Sequence, residues 1–231
     1  MDGVYRYQRH VYDLTRKYYL FGRDRLIAQM RPAPGSHIVE VGCGTARNLI
    51  RMAGLYPETR LFGLDASAAM LETARARIGR AGLAHRIGLA QGYAEHLSPA
   101  MFGLEGPFDD VVFSYSLSMI PDWNQALIAA SGALGPDGRI HIVDFADLGA
   151  WPRPLRAALR SWLALFHVAP RLELLEALTV ASQKCQHYQL LGGRYAILCR
   201  GGGQAMLTAI RSVARQSQAP NKSPLKAGSA P

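Results

Sequence analysis

Two glycines, two residues apart, follow a short apolar run in "HIVEVGCGTARNLI", residues 37–50. Glycine after a strand lets the chain turn sharply and lets a ligand approach the backbone closely. The residues after the glycines narrow the chemistry. A phosphate-cradling loop ends in Gly-Lys-Ser/Thr, whereas Gly44 is followed by Thr45, Ala46 and Arg47. A dinucleotide-binding loop needs a third glycine at position 47, which is arginine. The loop therefore reads as one that holds a ligand lacking a diphosphate.

Asp65 supplies the second clue. It closes the strand-like run "LFGLDA", 23 residues after Gly42. An acid at that place in a nucleotide fold accepts hydrogen bonds from both ribose hydroxyls. A ribose without a diphosphate points to S-adenosylmethionine. The stretches "VEVGCGTARN", "GLDASAAML", "QGYAEHL", "FDDVVFSYSL" and "LGPDGRIHIVDF" then resemble, in order, the motifs of the class I S-adenosylmethionine-dependent methyltransferases, over about residues 36–147.

The resemblance implies a role for each matched residue. Glu40 is expected below the cofactor's methionine amino group, with Gly42, Cys43 and Gly44 touching the methionine part through their backbone. Asp65, with Ala66 beside it, is expected to hold the ribose, and Met70 to pack on the adenine. Gln91, Gly92 and Tyr93 are expected at the adenine edge, and Ser114 and Tyr115 beside the sulfonium. The family usually has an acid where this chain has Tyr93, so the adenine amino group needs another acceptor, Glu95 or a backbone carbonyl.

The segment "YRYQRHVYDLTRKYYLFGRDRLI" carries Tyr5, Tyr7, His10, Tyr12, Tyr18 and Tyr19. Methyl transfer moves positive charge from sulfur to the acceptor. A quaternary ammonium product donates no hydrogen bond and must be held by aromatic faces and carboxylates, each cation–π contact contributing roughly 0.5–2 kcal/mol. This segment, with "LALFHVAPR" and "HYQLLGGRYAILCR", is similar to the bacterial betaine-lipid N-methyltransferases. Those enzymes methylate the amino group of diacylglycerylhomoserine three times. The similarity implies a lipid substrate at a membrane surface and an upstream aminocarboxypropyl transferase that supplies it. Tyr12, Tyr19 and Arg23 are assigned to the cofactor, and Tyr18, Tyr188 and Arg194 to the substrate. Arg23 or Arg194 could meet the substrate carboxylate, and Arg23 could instead clamp the cofactor's carboxylate. Tyr7, His10, His141 and Asp144 are the catalytic candidates: a histidine to accept a proton, and Asp144 to neutralise the ammonium. An α-amino group titrates near ~8, so it needs little help to lose its proton. The competing acceptors are phosphatidylethanolamine, which offers a phosphate in place of the carboxylate, and a quinone or other small molecule. A non-catalytic module that binds the cofactor at a membrane is the alternative of a different class.

These residues need a scaffold, and the sequence spells one out. Strand-like runs at 37–41, 60–66, 86–92, 108–116 and 139–145 alternate with helical runs, one of them starting near Ser67 and ending at Gly82. "GPDG" is expected to stop the helix that begins at "WNQAL". Repeated β-α units argue for a Rossmann-like α/β fold with a doubly wound, mostly parallel sheet. Residues 183–200 read as two strands joined by "LGG", an antiparallel terminal hairpin. Three parts result: an aromatic helical cap at 1–31; a core at 32–200 with a helical substrate or membrane insertion at 151–180; and a basic tail at 201–231, with a short helix at 204–215 and disorder after Gln216.

Charge is distributed along those parts. The net charge is +9 over 231 residues. Residues 1–31 hold seven Lys/Arg against three Asp/Glu, 151–171 four cations and no acid, and 200–231 five cations and no acid. An acidic body with basic appendages suits an anionic membrane surface. No recognition module for RNA is evident, so a nucleic-acid partner is not expected. Trp151, Leu155, Leu159, Trp162 and Phe166 recur at mostly helical spacing among Arg153, Arg156 and Arg160, as in a helix lying at headgroup level. The expected location is cytoplasmic, peripheral to the inner membrane. Cys43, Cys185 and Cys199 show neither zinc spacing nor a disulfide framework, so no metal is expected and a reducing compartment fits. Oligomeric state is not fixed by the sequence.

Overall fold

The computed structural model describes residues 21–146, 152–164, 172–181, 184–190 and 193–218. Among them run α1 (Arg23–Met30), β1 (His37–Val41), α2 (Arg47–Leu55), β2 (Arg60–Asp65), α3 (Ala68–Arg80), β3 (Ile87–Gln91), β4 (Phe108–Ser114), α4 (Trp123–Gly132), β5 (Leu134–Phe145), α5 (Arg153–Ala164), α6 (Leu172–Ala181), β6 (Lys184–Leu190), β7 (Gly193–Gly202) and α7 (Gly203–Gln218). The seven strands form one sheet in the order β3-β2-β1-β4-β5-β7-β6. The β1–β2, β1–β4, β2–β3 and β4–β5 pairs are parallel, and β7 runs antiparallel to β5 and β6. The expected Rossmann-like architecture is present, with its antiparallel C-terminal hairpin.

Parallel central strands are apolar on both faces because helices cover both. Val39, Val41, Phe113, Ile140, Ile142 and Ile197 face α4, α6 and α7. Ile38, Leu61, Val112, Val143 and Leu198 face α1, α2 and α3. The order reverses direction between β1 and β4, and ligands in such sheets bind beyond the carboxyl ends at that point. Arg86 fastens the opposite end: its guanidinium donates to the carbonyls of Ala53, Tyr56 and Thr59 at 3.0, 2.7 and 3.0 Å. Those carbonyls include ones that the end of α2 leaves without helical partners.

Several boundaries differ from the sequence expectation. "GPDG" lies within β5, which starts at Leu134 rather than at Arg139; Phe108 pairs with Leu134, and an irregularity before Asp110 absorbs the extra residues. β4 ends at Ser114 because Tyr115 takes a left-handed φ of 55°. The region 151–180 holds two helices among its described residues, α5 and α6, and of these described residues those of α6 join the buried core. Cys199 is disulfide-bonded, which corrects the expectation of unpaired thiols. Cys185 lies opposite it in the β6–β7 register, and Cys43 is free. Two positions 14 apart in sequence become neighbours only once the hairpin register is known.

Candidate functional site

The site assembles where β1, β2 and β4 end. Gly42 and Cys43 both donate to the carbonyl of Leu64, at 2.8 and 3.1 Å, which folds the loop after β1 over the end of β2. Gly42 has a φ of 75°, and a Cβ there would lie 2.6 Å from the Cβ of Ser116. A side chain is thus excluded twice, by conformation and by space. Gly44 is also left-handed, at φ 53°, but a Cβ there would meet nothing within 4 Å.

Asp65 joins three segments. Its Oδ2 accepts from Gly44 N at 2.8 Å and its Oδ1 from Ser67 N at 2.9 Å, while its carbonyl accepts from Gly92 N at 3.1 Å. Ser67 caps α3, its Oγ accepting from Met70 N at 3.3 Å. Gln91 donates through Nε2 to the carbonyl of Ala66 at 3.2 Å. The glycine loop, Asp65, Ala66, Met70, Gln91 and Gly92 are therefore contiguous. Met70 is buried, and Tyr93 beside them is 65% exposed.

Beneath the loop, Glu40 is buried and its Oε1 accepts from Asn48 Nδ2 at 2.6 Å. Arg77 Nη1 donates to Thr45 Oγ1 at 2.7 Å, tying α3 to the loop. Burial, and then the negative charges of Asp65 and Glu40, push the Cys43 thiol well above its ordinary range. Two carboxylates thus bracket the loop, a field that attracts a cation. Among the described residues, Oγ of Ser114, Oγ of Ser116, Nε of Arg23 and Oδ1 of Asn48 are buried and find no hydrogen-bond partner. Buried polar atoms are nearly always paired, so these atoms are candidates for bonds to a bound molecule or to water. The residues fit a nucleoside with a cationic, amino-acid-bearing tail.

Other expected site residues lie elsewhere. Tyr115 turns away from the cleft: its ring packs on Phe145 with centroids 4.7 Å apart, and its hydroxyl donates to the carbonyl of Phe21. It anchors the entry to α1 and does not line the place expected for the sulfonium. His141 is in the middle of β5, paired with Val112 and Arg200 across the sheet. Its Nε2 lies 2.6 Å from Oδ1 of Asp110, and both side chains are buried. A ring nitrogen so engaged is not placed to take a substrate proton, which corrects the expectation of a catalytic role. Asp144 ends β5 but is fully enclosed, accepting from Ser118 N at 3.0 Å and Phe145 N at 2.8 Å. Burial raises its pKa, and hydrogen bonds from Ser118, Phe145 and Leu117 oppose the rise. It holds the turn after β4 and has no open path to an ammonium, a second correction. Arg23, by contrast, opens α1 and is buried on the sheet face that carries Glu40's partner Asn48.

Tyr7, His10, Tyr12, Tyr18 and Tyr19 lie outside the described residues. Of Tyr188 and Arg194 only the backbone is described; β7 begins beside the carboxyl end of β5, where Ala196 pairs with Phe145, so both residues sit at the same end of the sheet as the glycine loop. Asn48 and Ser116 join the site without a clear sequence signal. Ser116 repeats the spacing of Ser114, and Asn48 comes eight residues after Glu40 through a loop whose shape only the fold reveals.

Comparison with known proteins finds similar methyltransferases. Residues 38–138 match the family model described as a methyltransferase domain. Two demethylmenaquinone methyltransferases are similar: one from Listeria welshimeri, 29% identical over 66% of this chain and 64% of its own length, and one from Lactiplantibacillus plantarum, 32% identical over 51% and 48%. This chain thus spans less than two thirds of those relatives. The S-adenosylmethionine-dependent methyltransferase SibL, solved in its apo form, shares the fold, with a TM-score of 0.61, 23% identity, and coverage of 83% of this chain and 57% of that one. Residues 38–138 thus match a methyltransferase domain, the fold is that of such enzymes, and S-adenosylmethionine is the cofactor consistent with the match.

Proposed function

We propose that the chain transfers methyl groups from S-adenosylmethionine to the amino group of diacylglycerylhomoserine, giving the trimethylated betaine lipid. The observation that carries the methyl-transfer part is the bond from Gly44 N to Asp65 Oδ2, which brings loop and ribose acid together. The cofactor supplies an electrophilic methyl on a cationic sulfur. Glu40 and Asp65 favour that positive charge, and the enclosed floor around Ser114 and Ser116 keeps water from competing. Alignment of acceptor, methyl and sulfur is the remaining requirement.

The choice of a nitrogen acceptor rests on the state of the bases. Among the described residues, His141 and Asp144 are buried and engaged. A carbon or phenol acceptor that enters protonated needs a positioned base to take its proton. An α-amino group near its own pKa does not. The segment rich in tyrosine and the basic residues of 151–171 support a cationic lipid product held at a membrane surface. Within α5, Arg153 and Leu155 are exposed, Leu155 to 45%, which suits attachment to the headgroup layer. No described helix is long and apolar enough to cross a membrane.

The second reading, methylation of a demethylmenaquinone, is favoured by the names of the similar bacterial enzymes. One experiment separates the two: incubation with methyl-labelled S-adenosylmethionine, diacylglycerylhomoserine, phosphatidylethanolamine and demethylmenaquinol together, followed by mass spectrometry. Label in mono-, di- and trimethylated homoserine lipid is the expected result. Label in the quinone instead would replace the proposal with the second reading.

A further inference from the structure

The amide of Asn48 is joined to a buried carboxylate on one side and, among the described residues, to nothing on the other. Glu40 is 2% exposed and Asn48 7%. Asn48 Nδ2 donates to Glu40 Oε1 at 2.6 Å. That bond fixes the amide's orientation, because only the NH2 end can donate. Oδ1 is then a buried acceptor without a donor. Arg23, on the same face of the sheet, presents the converse, a buried Nε without an acceptor. The helices carrying the two residues are tied by Asp24 and Arg51, 3.3 Å apart.

We infer that Asn48 is a positioning and binding residue for the α-amino-acid end of the cofactor. Its NH2 holds Glu40 in one orientation, and its Oδ1 accepts from the ammonium. An α-amino acid carries an ammonium and a carboxylate two bonds apart, and so answers both the orphan acceptor and the orphan donor of Arg23. Neither alanine nor leucine could do either task. The inference rests on S-adenosylmethionine being the cofactor.

The test uses two ligands that differ at this end and in the charge on sulfur, which Asn48 does not meet. The full chain is titrated calorimetrically with S-adenosylmethionine and with 5′-methylthioadenosine, which keeps the nucleoside and sulfur but lacks the amino acid. Asn48→Leu, close in shape and apolar, is expected to weaken S-adenosylmethionine about 10-fold or more, the range for losing a bond to a charged group, and to leave methylthioadenosine unchanged. Asn48→Ala is measured alongside, and decides the matter if circular dichroism shows that the leucine variant is misfolded. Equal weakening of both ligands would make Asn48 a mere prop for the loop and overturn the inference. So would unchanged affinity for both. If the wild-type chain binds neither ligand, the cofactor assignment itself is wrong.

Discussion

Asp65 and Asp144 occupy equivalent positions, each near the carboxyl end of a parallel strand, β2 and β5. Each accepts backbone amide bonds with both oxygens: Asp65 from Gly44 and Ser67, Asp144 from Ser118 and Phe145. Their surroundings differ. Asp65 is partly open and borders the glycine loop, whereas Asp144 is enclosed under the turn after β4. A carboxylate at a strand end is thus a site residue only where the loops around it leave it reachable. The same acid, buried, becomes a scaffold for its neighbour's loop.

The largest effect expected from breaking this contrast is at Gly42. Gly42→Ala adds a left-handed φ penalty and a 2.6 Å contact with Ser116 Cβ, about 2–5 kcal/mol together. S-adenosylmethionine binding, measured by calorimetry, should fall below detection. Gly44→Ala meets open space at its own positive φ, so it should cost only about 1–2 kcal/mol of thermal stability. Similar losses at both glycines would show that space around Gly42 is not the constraint.

Asp144→Ala comes next. It strands the amides of Ser118 and Phe145 in a buried turn, which should lower stability by about 2–4 kcal/mol in denaturant unfolding. The pH test is finer. Burial raises the pKa of Asp144 in the fold, so its stabilising contribution is full below the unfolded carboxylate value of about 4 and declines as pH rises through the raised value. Asp144→Asn should remove that decline from the stability–pH curve. An identical slope in both proteins would mean that Asp144 is not desolvated.

The smallest effect concerns Cys43. Its thiol is held protonated by burial and by Asp65 and Glu40, so the native protein should alkylate there far more slowly than the unfolded chain at neutral pH. Asp65→Asn should speed the reaction modestly. No change would indicate that burial alone protects the thiol.

Most of the cofactor half is legible in the sequence. The short continuous apolar runs, the glycine pair and Asp65 each act through backbone geometry that is local or arises from β-α repetition. The features that escape depend on which way a side chain turns. Tyr115 sits one residue past the strand end in a left-handed conformation, and that single φ sends its ring to Phe145. The polarity of His141 reads as chemistry until Asp110 is seen beside it on β4, a neighbour 31 residues away. Asn48 reads as an ordinary helix residue because its partner lies on β1, across the glycine loop.

The proposed function requires that the loop after β1 and Asp65, at the end of β2, together seat S-adenosylmethionine. Calorimetric titration of S-adenosylmethionine into the wild-type chain and into Asp65→Ala tests this most directly. Wild-type binding at one site, weakened at least about 10-fold in the variant while its melting temperature stays within a few degrees, is the predicted result. Equal affinity in the two proteins would contradict it.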